Sequence, residues 1–294
     1  MRTLKRIKNG SPVFNFFNAL WMVLFALFCL IPIIIMISSS FSTDEALQTY
    51  GYTLFVKEWS LNAYRVVFGN IVPLLRAYGV SLIVTGGGTV LNVFLTAMIA
   101  YPLSKPHFKY KKPITVLLLI TMLFSPGMVP SYILTTQYLN WKNTFAVMII
   151  PQIGTTFYII LLRTFFSDIP KEIGESAKMD GCSAFREFLT ITMPLSLPAI
   201  ATCSILVALS YWNDWGTAYL YVDDNRMWNV QMLMINLVQQ AQEWKKNLGQ
   251  LAGNQSSDSI VMATCILGTL PIMGVFMALQ KYIVKGMTVG AVKG

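Results

Sequence analysis

Charge is scarce in this sequence: Asp, Glu, Lys and Arg make up 12% of its 294 residues, about half the roughly 25% usual in soluble domains. Apolar residues make up 55%, which leaves too little polar surface to cover water-soluble globules of this length. An ordinary soluble enzyme is excluded, and a membrane-embedded chain is expected. Histidine is nearly absent. His107, the only one, lies in a Lys-rich loop with no partners for a zinc site or a Ser-His-Asp triad. The four cysteines, Cys29, Cys182, Cys203 and Cys265, form no CxxC pair, and three lie in apolar runs. They read as reduced, small hydrophobes rather than as a disulfide frame or metal ligands. No G-x-x-x-x-G-K-[ST] occurs, and Gly86-Gly87-Gly88 is followed by no Lys-Ser/Thr, so ATP has no phosphate loop of the usual kind here. HExxH and Gly-x-Ser-x-Gly are missing as well. Neither a catalytic residue nor a metal site is expected.

What is present is a set of six apolar runs long enough to cross about 30 Å of hydrocarbon. They lie at about 16–37, 74–103, 113–134, 144–162, 193–212 and 260–279. The first follows Arg2, Lys5, Arg6 and Lys8 but is too long for a signal-peptide core, so it reads as a retained helix. If the N-terminus is cytoplasmic, fifteen of the 22 Lys and Arg fall on the cytoplasmic side and seven on the outer side. This asymmetry fits the positive-inside rule with both termini in the cytoplasm. The net charge of +9 is then topological, and with no basic strip interleaved with aromatics there is no case for nucleic-acid binding. Pro126 and Pro130 in the third run, Pro151 with Gly154 in the fourth, and Pro271 with Gly268 and Gly274 in the last are helix breakers that a bundle tolerates. They fit either kinked helices around a moving path or static packing. The glycine run in the second span suits close helix approach.

The connection between the fourth and fifth runs, about 163–192, is different. Nine charged residues from Arg163 to Glu187 keep it out of the membrane, yet it carries helix signals. Asp168 can cap a first helix with Pro170 just inside it, and Gly181 supplies a stop. A second helix can start near Ser183 and place Phe185, Phe188 and Leu189 on one face. Two short helices hinged at Asp180-Gly181 make a knob suited to docking into a cleft on another protein. Within it, Glu175-Ser176-Ala177, then Gly181, then Ile191-Thr192-Met193-Pro194 resembles the EAA motif of ABC importer permease subunits, with Ser at the second position and Met where Leu is common. The ending Lys285-Gly286-Met287-Thr288-Val289-Gly290-Ala291-Val292-Lys293-Gly294 is similar to the tail of MalG-like carbohydrate permeases. Tyr211-Trp212-Asn213-Asp214-Trp215 looks most like the polysaccharide-permease subgroup around LplC and YtcP.

The resemblance implies an all-α, six-span permease domain over 1–294, of the type I importer fold, in a bacterial cytoplasmic membrane. It implies a second homologous permease, a cytoplasmic ATPase dimer that holds the ATP and Mg, and an extracytoplasmic sugar-binding protein. The substrate implied is an oligosaccharide, including acidic ones such as aldouronates or alginate fragments. Glu175, Ser176, Ala177, Asp180, Gly181 and Pro194 are then expected to couple to the ATPase. Gly286, Thr288, Gly290 and Lys293, in a tail at about 286–294, are expected to contact it. Along the substrate path the expectation is Tyr211, Trp212, Asn213, Asp214 and Trp215, through aromatic stacking on sugar C–H faces and polar bonds to hydroxyls. Their alternative reading is an interfacial aromatic belt. The outer segment from about Asp223 to Ser259 is expected to include a helix, forming a receptor-facing surface or a gate, or else packing on the bundle. An ion-coupled secondary transporter and an importer of a non-sugar solute are the alternatives. Spans so poor in ionisable groups give little means to couple ions.

Overall fold

A computed structural model of the chain describes residues 12–69, 71–248 and 258–291. The basic N-terminal residues Arg2 to Lys8, and Lys293 of the expected tail, lie outside these. Among the described residues the regular structure is helical, with one isolated antiparallel bridge between Ser42 and Trp59. The helices are α1 (Pro12–Ser40), α2 (Asp44–Tyr50), α3 (Asn62–Gly69), α4 (Val72–Ser104) and α5 (Lys111–Leu123). They continue with α6 (Met128–Ile133), α7 (Phe145–Ile149), α8 (Thr156–Ser167), α9 (Lys171–Met179) and α10 (Ala184–Glu187). The last five are α11 (Met193–Leu195), α12 (Leu197–Trp212), α13 (Gly216–Tyr221), α14 (Val230–Leu248) and α15 (Asp258–Ala291). The helix expected in the outer segment is α14.

The chain forms two compact units, one of residues 1–70 with 237–267 and the other of 71–236 with 268–294. In the first, α1 exposes apolar side chains along most of its length, as a lipid-facing helix does. Beyond its end, Phe41 packs on Tyr64 with ring centroids 4.9 Å apart, and Thr43 caps α2 by accepting the Ala46 N–H at 3.1 Å. Asp44 Oδ1 accepts the Ser259 N–H and Asp258 Oδ2 accepts the Tyr52 hydroxyl, which ties the start of α15 to this cap. In the second unit, α4, α8 and α12 share the core, where Ala97, Ala100, Leu103, Leu162, Cys203 and Val207 are fully buried.

α1 and α4 are each long and apolar enough to cross a bilayer unbroken. The run expected as one span over 113–134 is instead α5 and a second helical piece running to Tyr138, bent by 109°. Pro126 restricts Ser125 before it to extended backbone, and Gly127 at φ +84° turns the chain out of register. The run at 144–162 divides at Ile150-Pro151-Gln152 and at Gly154, φ +74°, with a bend of 51°, and α8 extends to Ser167. The fifth span does not begin at Met193. The helical run Ala184–Leu195 bends by 84° into α12 at Ser196, because Pro198 has no N–H for the carbonyl of Pro194 and fits only the first turn of a new helix. The last span behaves in the opposite way. α15 runs as one helix through Pro271, so this proline does not divide its span, and the helix includes Gly286, Thr288 and Gly290 of the expected tail.

Candidate functional site

The expected coupling residues fall on one helix-turn-helix. α9 carries Glu175, Ser176 and Ala177. Its N-cap position is Pro170 rather than Asp168, since the extended Ile169-Pro170 step leaves Asp168 in the turn that ends α8, with its N–H on Phe165 O. The end of α9 is closed twice: Cys182 N–H donates to Ala177 O at 2.9 Å and Gly181 N–H to Lys178 O at 3.0 Å. That is a Schellman closure, and it requires the left-handed φ of +73° that Gly181 adopts. Ser183 then caps α10 by accepting the Arg186 N–H. Glu175, Ser176, Asp180 and Gly181 are exposed and Ala177 is buried. Pro194 is exposed on α11, in the corner that joins this knob to α12. Of the three residues expected on one apolar face, Phe188 alone is buried, while Phe185 and Leu189 are exposed. At the tip Met179 is 89% exposed, an apolar group that charge patterning did not single out.

The base of the knob is fixed to α4. Phe188 packs on Tyr101 and Phe94 with centroids 5.3 and 6.3 Å apart. The Glu187 carboxylate, 3% exposed, receives Lys105 Nζ at 2.5 Å, and the same ammonium stands 4.7 Å from the centre of the Tyr101 ring. Gly174 lets α9 lie against this pair, since a Cβ there would come within 3.0 Å of Glu187 Oε1. Sequence reasoning missed Lys105, Tyr101, Gly174 and the burial of Glu187. The available signal was an acid beside the buried Phe188, since a buried carboxylate needs a partner.

At the other end of α12 the expected substrate-path residues separate. Tyr211 is buried, donates its hydroxyl to Ile149 O at 2.8 Å and lies against Gly88. Trp212 is buried, and its indole N–H has no partner among the described residues. Asp214 is engaged within the chain: Gln152 Nε2 and Thr217 Oγ1 each donate to its carboxylate at 2.6 Å, and Asn229 Nδ2 donates to its carbonyl. Asn213 and Trp215 are exposed. Asn92 Nδ2 donates to Gln152 O at 2.9 Å, so Asn92 and Tyr211 satisfy carbonyls that the break at Pro151 releases. Further out, Asn143 Oδ1 accepts the Asp223 N–H at 2.7 Å, and Lys142 pairs with Asp223, whose carboxylate raises the lysine pKa. These bonds clip 142–143 onto 221–224.

A broken-helix bundle with an exposed, rigidly based knob is a shape that can be moved from outside the membrane. Comparison with known proteins agrees. Residues 9–289 match the family model described as "Binding-protein-dependent transport system inner membrane component". The protein LplC of Bacillus subtilis (strain 168) is 36% identical over 296 residues, covering 100% of this chain and 99% of its own. The polygalacturonan/rhamnogalacturonan transport system permease protein YtcP of the same organism is 35% identical over 276 residues, covering 93% of this chain and 96% of its own. Among solved structures, a bacterial ABC transporter involved in the import of the acidic polysaccharide alginate aligns with a TM-score of 0.78 at 26% identity, over 96% of this chain and 99% of that one. The chain belongs to the binding-protein-dependent transport system inner membrane components, the permeases of ABC importers.

Proposed function

We propose that this chain crosses the bacterial cytoplasmic membrane six times with both termini inside. With a second homologous permease it forms the path for an oligosaccharide that an extracytoplasmic binding protein delivers. The residues lining the path bind no nucleotide; a cytoplasmic ATPase dimer holds ATP and Mg and drives the cycle through the α9–α10 knob. The observation that carries this reading is the knob itself, a Schellman-closed turn bearing Glu175 and Gly181 on its exposed side and locked to α4 by Phe188 and Glu187. Force applied at the turn passes through α10 and the Ser196 corner to α12, and through Lys105 to α4. These are discrete, packed contacts of the kind that convert ATPase closure into inward-to-outward switching. The names of the relatives, and the acidic polysaccharide of the aligned transporter, support a sugar polymer fragment as substrate. Asp214 carries its charge into bonds with Gln152 and Thr217, so it opposes an acidic sugar less than a free carboxylate does.

The test is reconstitution with the ATPase, the second permease and the binding protein. Gly181→Asp, which forces a side chain onto φ +73°, and Glu175→Lys, which reverses charge on the exposed face, are each expected to lower substrate-stimulated ATPase activity about tenfold, the effect of losing about 1.4 kcal/mol of docking. Normal coupled activity in an assembled complex carrying either variant refutes the docking role. Ion-driven uptake by this chain alone refutes the importer reading.

A further inference from the structure

Two spans of the second unit break at the same level, and the irregular residues between them are exposed. α5 holds 13 residues and α8 holds 12, which places both breaks about 18–20 Å from the ends nearest the knob at 1.5 Å per residue. α4 gives an independent measure. Ser167 Oγ reaches Ser104 O at 3.4 Å, and Asn92, twelve residues earlier on α4, donates to Gln152 O at the break, again about 18 Å away. Against hydrocarbon about 30 Å thick, that depth is inside the membrane. There Phe124, Ser125, Pro126 and Gly127 are non-helical and exposed, and so is Thr155. Lipid offers such backbone no hydrogen bonds, so it must be buried in protein or line a water-filled cavity.

The shape and chemistry of the place favour a cavity that takes a solute. The breaks meet at Thr121 and Thr156, whose hydroxyl oxygens are 3.2 Å apart and both donate to Leu118 O. Beside them is a concavity of about 450 Å³ lined by Thr121, Met122, Pro151, Gly154, Thr155 and Phe157, within the roughly 300–1,000 Å³ usual for small-molecule sites. Thr121 and Thr155 donate their protons to Leu118 O and Gln152 O, and their oxygens keep lone pairs that can accept from a solute. The N–H groups of Thr156 and Phe157, in the first turn of α8, have no partner within the helix and can donate. Met122 and Phe157, both exposed, add apolar faces. Acceptors and donors beside apolar faces match a sugar ring, which presents hydroxyls at its edge and C–H groups on its faces. No ionisable residue lines the concavity, so it reads hydroxyls rather than charge.

We propose that this concavity at the paired breaks of α5 and α8 is a solute subsite on the translocation path, taking the hydroxyl-bearing edge of a sugar residue. The sugar class rests on the function proposed above; the subsite's place on a water-filled path rests on depth and exposed backbone alone. The experiment uses the reconstituted complex with its four native cysteines replaced by serine. Ser125→Cys, Thr155→Cys and a lipid-facing control, Leu24→Cys, are treated with a membrane-impermeant methanethiosulfonate. Oligogalacturonides, rhamnogalacturonan fragments and alginate oligosaccharides serve as probes for uptake and protection. Labelling at positions 125 and 155 is expected to be at least about tenfold faster than at 24, and to slow when a transported probe saturates the complex. Thr155→Val is expected to lower uptake about fivefold, the loss of one hydrogen bond of about 1 kcal/mol, while Thr155→Ser retains it and complex assembly is unchanged. If uptake proceeds but both cysteines are inert, the second permease covers this face and the subsite is wrong; labelling without protection by a transported probe also overturns it. If the unmodified complex takes up none of the probes, the sugar reading above fails, and the subsite fails with it as a sugar site.

Discussion

Gly88 shows how much of the packing rests on one missing methyl group. A Cβ there would stand 2.9 Å from Tyr211 Cζ, whereas Gly86 and Gly87 have nothing within 4 Å of theirs. Tyr211 cannot retreat without giving up its bond to Ile149 O. Gly88→Ala is therefore expected to destabilise the purified complex by about 1–3 kcal/mol, the usual cost of overpacking. Gly86→Ala, on the same helix with open space, is expected to be neutral or stabilising by up to about 1 kcal/mol from helix propensity alone. Thermal unfolding of the two variants checks this, and an equal loss in both would show that Tyr211 does not set the approach of α4 to α12. The run of three glycines made a close approach legible in the sequence, but not which glycine makes it. Tyr211 was legible only as an aromatic beside Asn and Asp, a pattern shared by sugar-stacking and interfacial residues. The Ile149 carbonyl, freed where Ile153 N–H turns to Ile150 O, and the glycine opposite decide its place, and both are distant in sequence.

At the scale of elements, the knob was legible where local rules govern and obscure where tertiary contacts do. Gly181 as a stop and a second helix starting near Ser183 follow from backbone chemistry at single positions, and both are found. Asp168 as a cap failed because Pro170 holds the preceding step extended and takes the N-cap position itself. The corner at Ser196 was hidden by an apolar run that reads as continuous, although Pro194 and Pro198, four apart, remove the bond that would carry the helix through. The partner of Glu187 was not readable at all, since Lys105 is 82 residues away. Lys105→Met leaves a carboxylate only 3% exposed without its cation. Breaking such a pair costs about 3–5 kcal/mol when both groups are buried, and Lys105 is 37% exposed, so about 1–3 kcal/mol is expected after screening. Lys105→Met with Glu187→Leu removes the orphaned charge and is expected to recover part of that loss. Melting temperatures of the assembled complexes supply the double-mutant cycle; a double variant less stable than Lys105→Met alone would mean that Glu187 is not held by this cation.

For the whole molecule, composition alone pointed to the membrane and the charge asymmetry to an orientation, because hydropathy and positive charge act over whole segments. Helix breaks act at single residues, so their angles and their common depth appear only in three dimensions. That common depth has a consequence for assembly. In the exposed residues Phe124 to Gly127 and Thr155, the Phe124 N–H, both Gly127 backbone groups and Thr155 O are bonded within the chain, and the other backbone groups lie at a level where lipid can satisfy none of them. Each unsatisfied group in hydrocarbon costs several kcal/mol, comparable with the whole stability of a folded domain, about 5–15 kcal/mol. On the function proposed above, the chain by itself cannot present this face to lipid and remain as stable as it is when a second permease walls off a watery path. Expressed without that permease, it is expected to fall several-fold in steady-state level and to become sensitive to proteolysis near Ser125, while co-expression restores both. The measurement is quantitative immunoblotting of the tagged chain with and without its partner. The control is a variant in which Pro126→Ala and Gly127→Ala favour a continuous helix, which is expected to accumulate better alone and to transport worse in the complex. Equal accumulation of the native chain with and without the second permease would show that the breaks are satisfied within the chain, and the path would have to lie elsewhere.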